Sequence, residues 1–210
     1  PSGADATKTI SLDIDAYGDI WIDGLSSKYD ITQNTTNIVL SSGEGNSHNV
    51  TAVGTLTVSL SAYTPPAQTY IKGVTGVEML IVNLAANSGE DISVTSLTID
   101  LKSAGANAAS GDYTNVKLLK MDGTQLGSTV SAPTTEAAFS FSLTVPASET
   151  ISLKAIADIP STTNATTGGF YLVVTNSDDV TSEGAASSAT LTETGFAVTG
   201  NNMAIDAGTL

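Results

Sequence analysis

Apolar and polar residues alternate along most of the chain, and this period of two predicts β-strands because successive side chains of a strand point to opposite faces. Residues 10–15 read Ile-Ser-Leu-Asp-Ile-Asp, which puts three apolar side chains on one face and three polar ones on the other. Residues 19–23 repeat the alternation after Tyr17-Gly18. The two runs together predict an N-terminal β-hairpin.

Three further runs predict strands. Residues 55–60 alternate and end before Pro65-Pro66, a pair that the centre of a β-ladder does not admit. Residues 77–84 are almost continuously apolar, which predicts a strand covered on both faces. Residues 92–101 alternate with one slip of phase at Thr95-Ser96, and such a slip predicts a β-bulge.

Asp122-Gly123 is the strongest hairpin signal, because this dipeptide adopts the tight turn that joins two antiparallel strands, here residues 116–120 and 124–130. Further strands are predicted over residues 36–40, 139–145, 151–159, 170–174, 189–191, 196–198 and 203–205. The Ala-rich run 104–111 is interpreted as a loop. Many short strands at close spacing predict an all-β protein with an antiparallel β-sandwich.

The composition excludes several classes of function. Seven basic residues stand against 21 acidic ones, for a net charge of −14. A nucleic-acid-binding surface or one attracted to anionic lipid would be basic, so neither partner is expected. The chain has no cysteine, which rules out disulfides and cysteine-based zinc sites. No apolar run approaches the ~20 residues of a membrane-spanning helix, so no membrane insertion is expected.

The charged fraction points to the cell exterior. Only 13% of residues are charged, against about a quarter in an ordinary soluble domain, and Thr and Ser are abundant instead. A hydroxyl-rich surface without cysteine is typical of secreted bacterial surface proteins. We therefore expect an extracellular or cell-surface location.

A short motif occurs twice. Val53-Gly54-Thr55-Leu56 is matched by Ala207-Gly208-Thr209-Leu210, and each copy follows an Asn-rich turn. The first copy continues into the strand predicted over 55–60, whereas the second copy is followed by no further residues. We therefore expect the second copy to be the start of a strand, whose full length is present only at the first copy.

Residues 54–210 resemble a module that occurs in tandem in large surface and S-layer-like proteins of uncultivated bacteria. The residues that carry the resemblance are the segments 54–59, 77–78, 90–98, 114–118, 123–128, 143–146, 153–159, 198–201 and 207–210. The resemblance implies an immunoglobulin-like β-sandwich used as a building block outside the cell. It divides the chain into a main sandwich module, 54–210, and an extra N-terminal β segment, 1–53, which would hold a donor strand, a hairpin and part of a sandwich.

Asp13, Asp15, Asp19 and Asp23, called here the aspartate cluster, are the candidate metal ligands. They lie on one face of the predicted N-terminal hairpin, and Ca²⁺ takes six to eight oxygen ligands. The same residues also fit a solvated strand face of a very acidic protein. Both interpretations stay open, with Ca²⁺ as the cofactor in the first.

No catalytic constellation is predicted. His48 is the only histidine and lies in a polar segment that is interpreted as a turn, and no Gly-x-Ser-x-Gly nucleophile motif occurs. A Ser-His-Asp triad would have to use His48, and no nucleophile elbow accompanies it, so the chain is not expected to be an enzyme.

Two other kinds of surface site are predicted. Trp21, the only tryptophan, shares the outward face of Asp19 and Asp23, where it would stack on a sugar, dock another subunit or pack against a neighbouring strand. Asn34, Asn49 and Asn164 each begin an Asn-x-Thr pattern and are candidate N-glycosylation sites.

These features favour a structural subunit of an extracellular homopolymeric filament or surface layer. The free edge of a β-sandwich pairs with a strand from another molecule, and residues 7–15 form an extended, alternating segment suited to that role. Ile10, Leu12 and Ile14 would fill the groove of the next subunit, with Trp21 at the same interface. The partners would be copies of the chain itself.

The alternative is a secreted carbohydrate-binding β-sandwich that uses Trp21 and Tyr17 together with Ca²⁺ held by the aspartate cluster. Such modules carry several surface aromatic rings, whereas aromatic residues make up only 5% of this chain. This observation favours the structural subunit.

Overall fold

The computed structural model of the chain describes residues 9–10, 48–49, 53–163 and 169–206. The chain divides into two compact units, unit 1 (Pro1–Ala52) and unit 2 (Val53–Leu210). The strands, numbered in chain order, are β1 Thr9–Ile10, β2 His48–Asn49, β3 Leu56–Leu60, β4 Thr69–Ile71, β5 Val77–Ala86, β6 Ile92–Ser103, β7 Ala106–Asn107, β8 Thr114–Lys120, β9 Gln125–Val130, β10 Glu136–Val145, β11 Thr150–Asp158, β12 Phe170–Val174, β13 Val180–Gly184, β14 Val198–Thr199 and β15 Ala204–Asp206.

The predicted all-β class is confirmed. The described residues form no α-helix, and their one helical element is a 3₁₀ turn, Ser177–Asp179. None of these residues belongs to a helix long and apolar enough to cross a membrane. Except for the parallel pair of β15 and β4, the ladders between the strands are antiparallel, as predicted for a β-sandwich.

One layer of unit 2 is a five-stranded sheet in the order β3-β5-β11-β8-β9. Its second strand, β5, was predicted to be covered on both faces, and this is confirmed. Leu80, Val82 and Leu84 belong to the core, while Ile81 is covered on the opposite face and is only 1% exposed. The hydroxyl of Thr64 donates to the Ile81 carbonyl at 3.0 Å and accepts from the Ile81 N–H at 3.2 Å, so the loop after β3 continues along the edge of β5.

The other layer is a six-stranded sheet built around β6. β10 pairs with one edge of β6, and β12 and β13 share the other edge, with β14 beyond β12. In the ladder with β13, Thr181 pairs with Ser96 and Ser182 pairs with Val94, so Thr95 has no opposite residue. The β-bulge predicted from the slip of phase is therefore confirmed.

A single hydrophobic core lies between the two sheets. Side chains from both layers are completely buried in it, with Leu56, Val58 and Leu153 from the five-stranded sheet and Phe139 and Phe170 from the six-stranded sheet among them. Two sheets that bury their inner faces against each other form a β-sandwich. The hairpin predicted at Asp122-Gly123 is also confirmed, as β8 and β9 pair on either side of it.

Some strands were not predicted. β4 and β13 are short, and β13 buries only Val180, Ser182 and Gly184, two of which are too small to produce an apolar pattern. β7 falls in the run interpreted as a loop, which was wrong at these two residues. Conversely, the strand predicted over 189–191 is reduced to an isolated bridge between Thr190 and Glu183.

The described part of unit 1 is a two-stranded antiparallel ladder. Thr9 pairs with Asn49, and Ile10 pairs with His48. His48 was interpreted as part of a turn, and this was wrong, because its backbone belongs to β2. Apart from Ile10, the hairpin predicted over 10–15 and 19–23 lies outside the described residues, and so does the strand predicted over 36–40.

Candidate functional site

One end of unit 2, called here the amino pole, contains Val53, the first residue of the unit. One carboxylate connects the segments that meet there. Glu90, in the turn between β5 and β6, accepts hydrogen bonds from the N–H of Gly54 at 3.0 Å and from the N–H groups of Ala186 and Ser187 at 2.9 Å each. The Ser187 hydroxyl donates a fourth bond at 2.7 Å. Glu90 thus joins the residue before β3 to the loop after β13.

The charge of Glu90 is stabilised by these donors. The Ser187 hydroxyl and then the Gly54 N–H, followed by the other two backbone donors, lower the pKa of Glu90 from 4.5 to about 2, because each donor favours the ionised carboxylate. Nearby, the Thr55 N–H donates to the Asn87 side chain at 3.1 Å, and the Asn87 N–H donates back to the Thr55 carbonyl at 3.1 Å. The backbone that leads into β3 is therefore fixed at two successive residues.

The opposite end, the carboxyl pole, holds the last described strand. β15 pairs in parallel with β4, and the N–H of Lys72 donates to the Asp206 carbonyl at 3.3 Å. β4 is in turn connected to the end of β11, because the Gly73 N–H donates to the Ile159 carbonyl at 2.9 Å and the Ile159 N–H donates to Val74. The last described strand, β15, is therefore held to the end of β11 through β4.

The strand directions set the two poles at opposite ends of the sandwich. β5 starts at Val77, beside the carboxyl pole, and ends at Ala86, beside Asn87 at the amino pole. Its ten residues span about 30 Å at ~3.3 Å per residue. Unit 2 therefore receives the chain at one end and releases it at the other.

A groove of about 370 Å³ lies where β13 separates from the segment 190–193. Its floor includes a hydrogen bond from the Ser182 hydroxyl to the Glu193 carboxylate at 2.5 Å, and both residues are buried. The described residues that line the groove include Asp178 and several Thr and Ser hydroxyls but neither a histidine nor an aromatic ring.

The predicted site residues lie mostly outside the described part of the chain. This applies to the aspartate cluster, to the inter-subunit candidates Leu12, Ile14 and Trp21, and to the glycosylation candidates Asn34 and Asn164. Ile10 and Asn49 are described only as members of β1 and β2. Within the described ranges, no three histidine, aspartate or glutamate side chains come together to hold a metal ion.

Glu90 was missed as a site residue in the sequence. It was noted only as part of the segment 90–98 that carries the resemblance, because a single glutamate in a turn gives no signal of its own. Its donors at Ala186 and Ser187 follow 96 and 97 residues later. No short-range sequence pattern predicts a side-chain hydrogen bond between residues so far apart.

No family model matches the chain, and no curated protein matches it.

Proposed function

We propose that the chain is a non-catalytic structural subunit of an extracellular homopolymeric filament or surface layer. The observation that carries the proposal is the position of the two poles of unit 2. A module that receives the chain at one end and releases it at the other, about 30 Å away at ~3.3 Å per strand residue, lengthens an assembly with each copy added. The hydrogen bonds of Glu90, Asn87 and Lys72 keep both ends in register with the sheets.

Subunits would join by strand complementation. Residues 7–15 of one subunit would add to a free sheet edge of the next, with Ile10, Leu12 and Ile14 in the acceptor groove and Trp21 at its border. Thr9–Ile10 pairs with His48–Asn49 of its own chain, so the donor strand would have to pair with the next subunit through its other edge. A head-to-tail contact of this kind uses two different surfaces, so it produces a fibre unless the rotation between subunits closes a ring.

Composition supports the extracellular part of the proposal. The net charge of −14 disfavours nucleic acid and anionic membrane surfaces as partners, and the chain holds no thiol that an oxidising environment would modify. The immunoglobulin-like character of the sandwich and its use in tandem belong to the same proposal and rest on the resemblance of residues 54–210.

Electron microscopy of the purified chain tests the function, and a matched pair of variants tests the joint. We expect regular fibres from the unmodified chain, and their absence under all assembly conditions would overturn the proposed function. Leu12→Asp puts a charge on the donor face and should abolish the fibres. Ser11→Asp puts the same charge on the opposite face and should preserve them.

Two further measurements separate the alternatives. Deletion of residues 1–15 should leave monomers, and unchanged fibres would remove the donor role from this segment. On a glycan array, the structural subunit should show no binding. Binding that is lost in Trp21→Ala would favour the carbohydrate-binding module instead.

A further inference from the structure

The first strand of unit 2 is hydrogen-bonded on both sides. β3 pairs with β5 along its whole length, from Leu56 opposite Ala86 to Leu60 opposite Val82. On its other side, the N–H of Val58 donates to the Thr194 carbonyl at 2.8 Å, and the Thr194 N–H donates to the Leu56 carbonyl at 3.1 Å. β3 is therefore held between an antiparallel and a parallel neighbour.

The backbone groups of β3 divide cleanly between these neighbours. Successive residues of a strand direct their N–H and C=O groups to alternate sides. Since Leu56 and Val58 bond to Thr194, the groups of Thr57 and Ser59 face β5. The side chains of Leu56 and Val58 are completely buried in the core, which anchors the strand a third time.

Tension between the poles would load these contacts along the strand axis. β3 runs away from the amino pole, so a force on Val53 pulls it lengthwise against β5. A force at the carboxyl pole pulls the segment after Thr194 in the opposite direction. Because β3 and Thr194 run parallel, the bonds between them resist separation of the two ends, together with the pairing of the segment after Thr194 to β12 and β4.

Loading along the axis differs from loading across it. When a strand is pulled sideways from one end, its hydrogen bonds break one after another. When it is pulled lengthwise, all of them must break together, so the barrier to forced unfolding is higher, and this barrier sets the rate under force.

We infer that unit 2 carries tension between its two poles and that β3 is the strand that holds the load. The covalent backbone from Val53 brings the force to β3, and the bonds at Gly54 and Thr55 resist it together with the ladder to β5 and the bonds to Thr194. This property belongs to the single chain and does not depend on polymerisation, so it can fail or hold independently of the proposed function.

Single-molecule force measurements on the full chain test this inference. The chain has no native cysteine, so attachment points can be placed by substitution at exposed positions. Val53→Cys with Ala204→Cys puts β3 under tension. Tyr63→Cys with Ala204→Cys is the matched control, because β3 then lies outside the stretch under tension while the other attachment point is unchanged.

We expect an unfolding force about twofold higher, or more, for attachment at 53 and 204 than for attachment at 63 and 204 at the same pulling rate. We also expect one dominant step that releases close to the full extended length of about 500 Å, at ~3.4 Å per residue. Melting curves of the two double-cysteine variants are compared first. If both variants have the same Tm, a difference in their unfolding forces does not arise from a folding defect.

Two results would overturn the inference. Equal unfolding forces in the two geometries would show that β3 does not bear the load. An early, short step in the 53–204 geometry, corresponding to release of residues 195–204 before the rest, would show that the carboxyl pole opens without loading β3.

Discussion

Gly195 follows the residue that clamps β3, and its replacement by alanine is the sharpest test of the contact between them. Gly195 has φ +100°, a conformation that residues with a Cβ atom rarely adopt. A Cβ atom added there would lie 2.0 Å from the Val58 carbonyl oxygen. That oxygen belongs to the backbone of β3, which is fixed by β5 on its other side, so it has little freedom to move away.

Two costs therefore add in Gly195→Ala. Holding a non-glycine residue at this φ costs about 1–2 kcal/mol. Relieving the overlap requires a shift of more than 1 Å between two packed segments, and overpacking of this kind costs about 1–3 kcal/mol. The free energy of unfolding should fall by about 2–5 kcal/mol, which corresponds to a loss of roughly 4–20 °C in Tm for a domain of this size.

Gly123→Ala is the matched control. Gly123 has a similar φ of +91°, but no atom lies within 4 Å of its added Cβ. Only the conformational cost applies there, about 1–2 kcal/mol. Both variants make the same change to the unfolded chain, so the difference between their free energies of unfolding measures the overlap with Val58.

Urea denaturation followed by circular dichroism provides both free energies, and amide hydrogen exchange gives a local measure. In Gly195→Ala, the Val58 amide should exchange faster, because its acceptor at Thr194 is displaced. Equal destabilisation by Gly195→Ala and Gly123→Ala, with Val58 protection unchanged, would refute the close approach of the two segments and with it the clamp on β3.

Three further predictions can be tested in the same way. Glu90→Gln should lower Tm at pH 7. The difference in Tm from the unmodified chain should shrink as pH falls from 4.5 through about 2, because the low pKa of Glu90 stabilises the fold only while the carboxylate is ionised. A difference in Tm that does not change with pH would contradict this. Tyr113→Phe should cost about 1–2 kcal/mol in urea denaturation, since the buried Tyr113 hydroxyl donates to the Lys102 carbonyl at 2.6 Å, and no loss would contradict it. Ca²⁺ should raise Tm relative to excess chelator if the aspartate cluster binds it, and an unchanged transition would eliminate a stabilising cation.

Most of the sandwich could be predicted because its strands carry a strong local pattern. The nearly unbroken apolar run of β5 is a direct consequence of burial on both faces. The slip of phase at Thr95 appears in the sequence because a bulge reverses the facing of every later side chain. Asp122-Gly123 is equally local, since the turn that it adopts depends on only a few neighbouring residues.

The remaining features could not be predicted because small residues and the backbone provide their contacts. β13 pairs with β6 and buries Val180, Ser182 and Gly184, two of which have no apolar side chain to reveal a strand. At Gly184, an added Cβ would lie 2.2 Å from Glu90 Oε1, so the packing there depends on the absence of a side chain. A hydrophobic pattern does not record such close approaches.

The contacts that could not be predicted are also those on which the proposed mechanical role depends. Thr57 and Thr194 are 137 residues apart, and closing so long a loop costs more entropy than closing the hairpin of β8 and β9. A hairpin, however, joins two neighbouring strands and leaves the ends of the module unconnected. Pairing between the first strand and a segment near the last passes a force from one pole to the other without unfolding the chain between them. The long loop is therefore part of how this module would bear tension, and the glycine at position 195 is the residue that lets its ends meet.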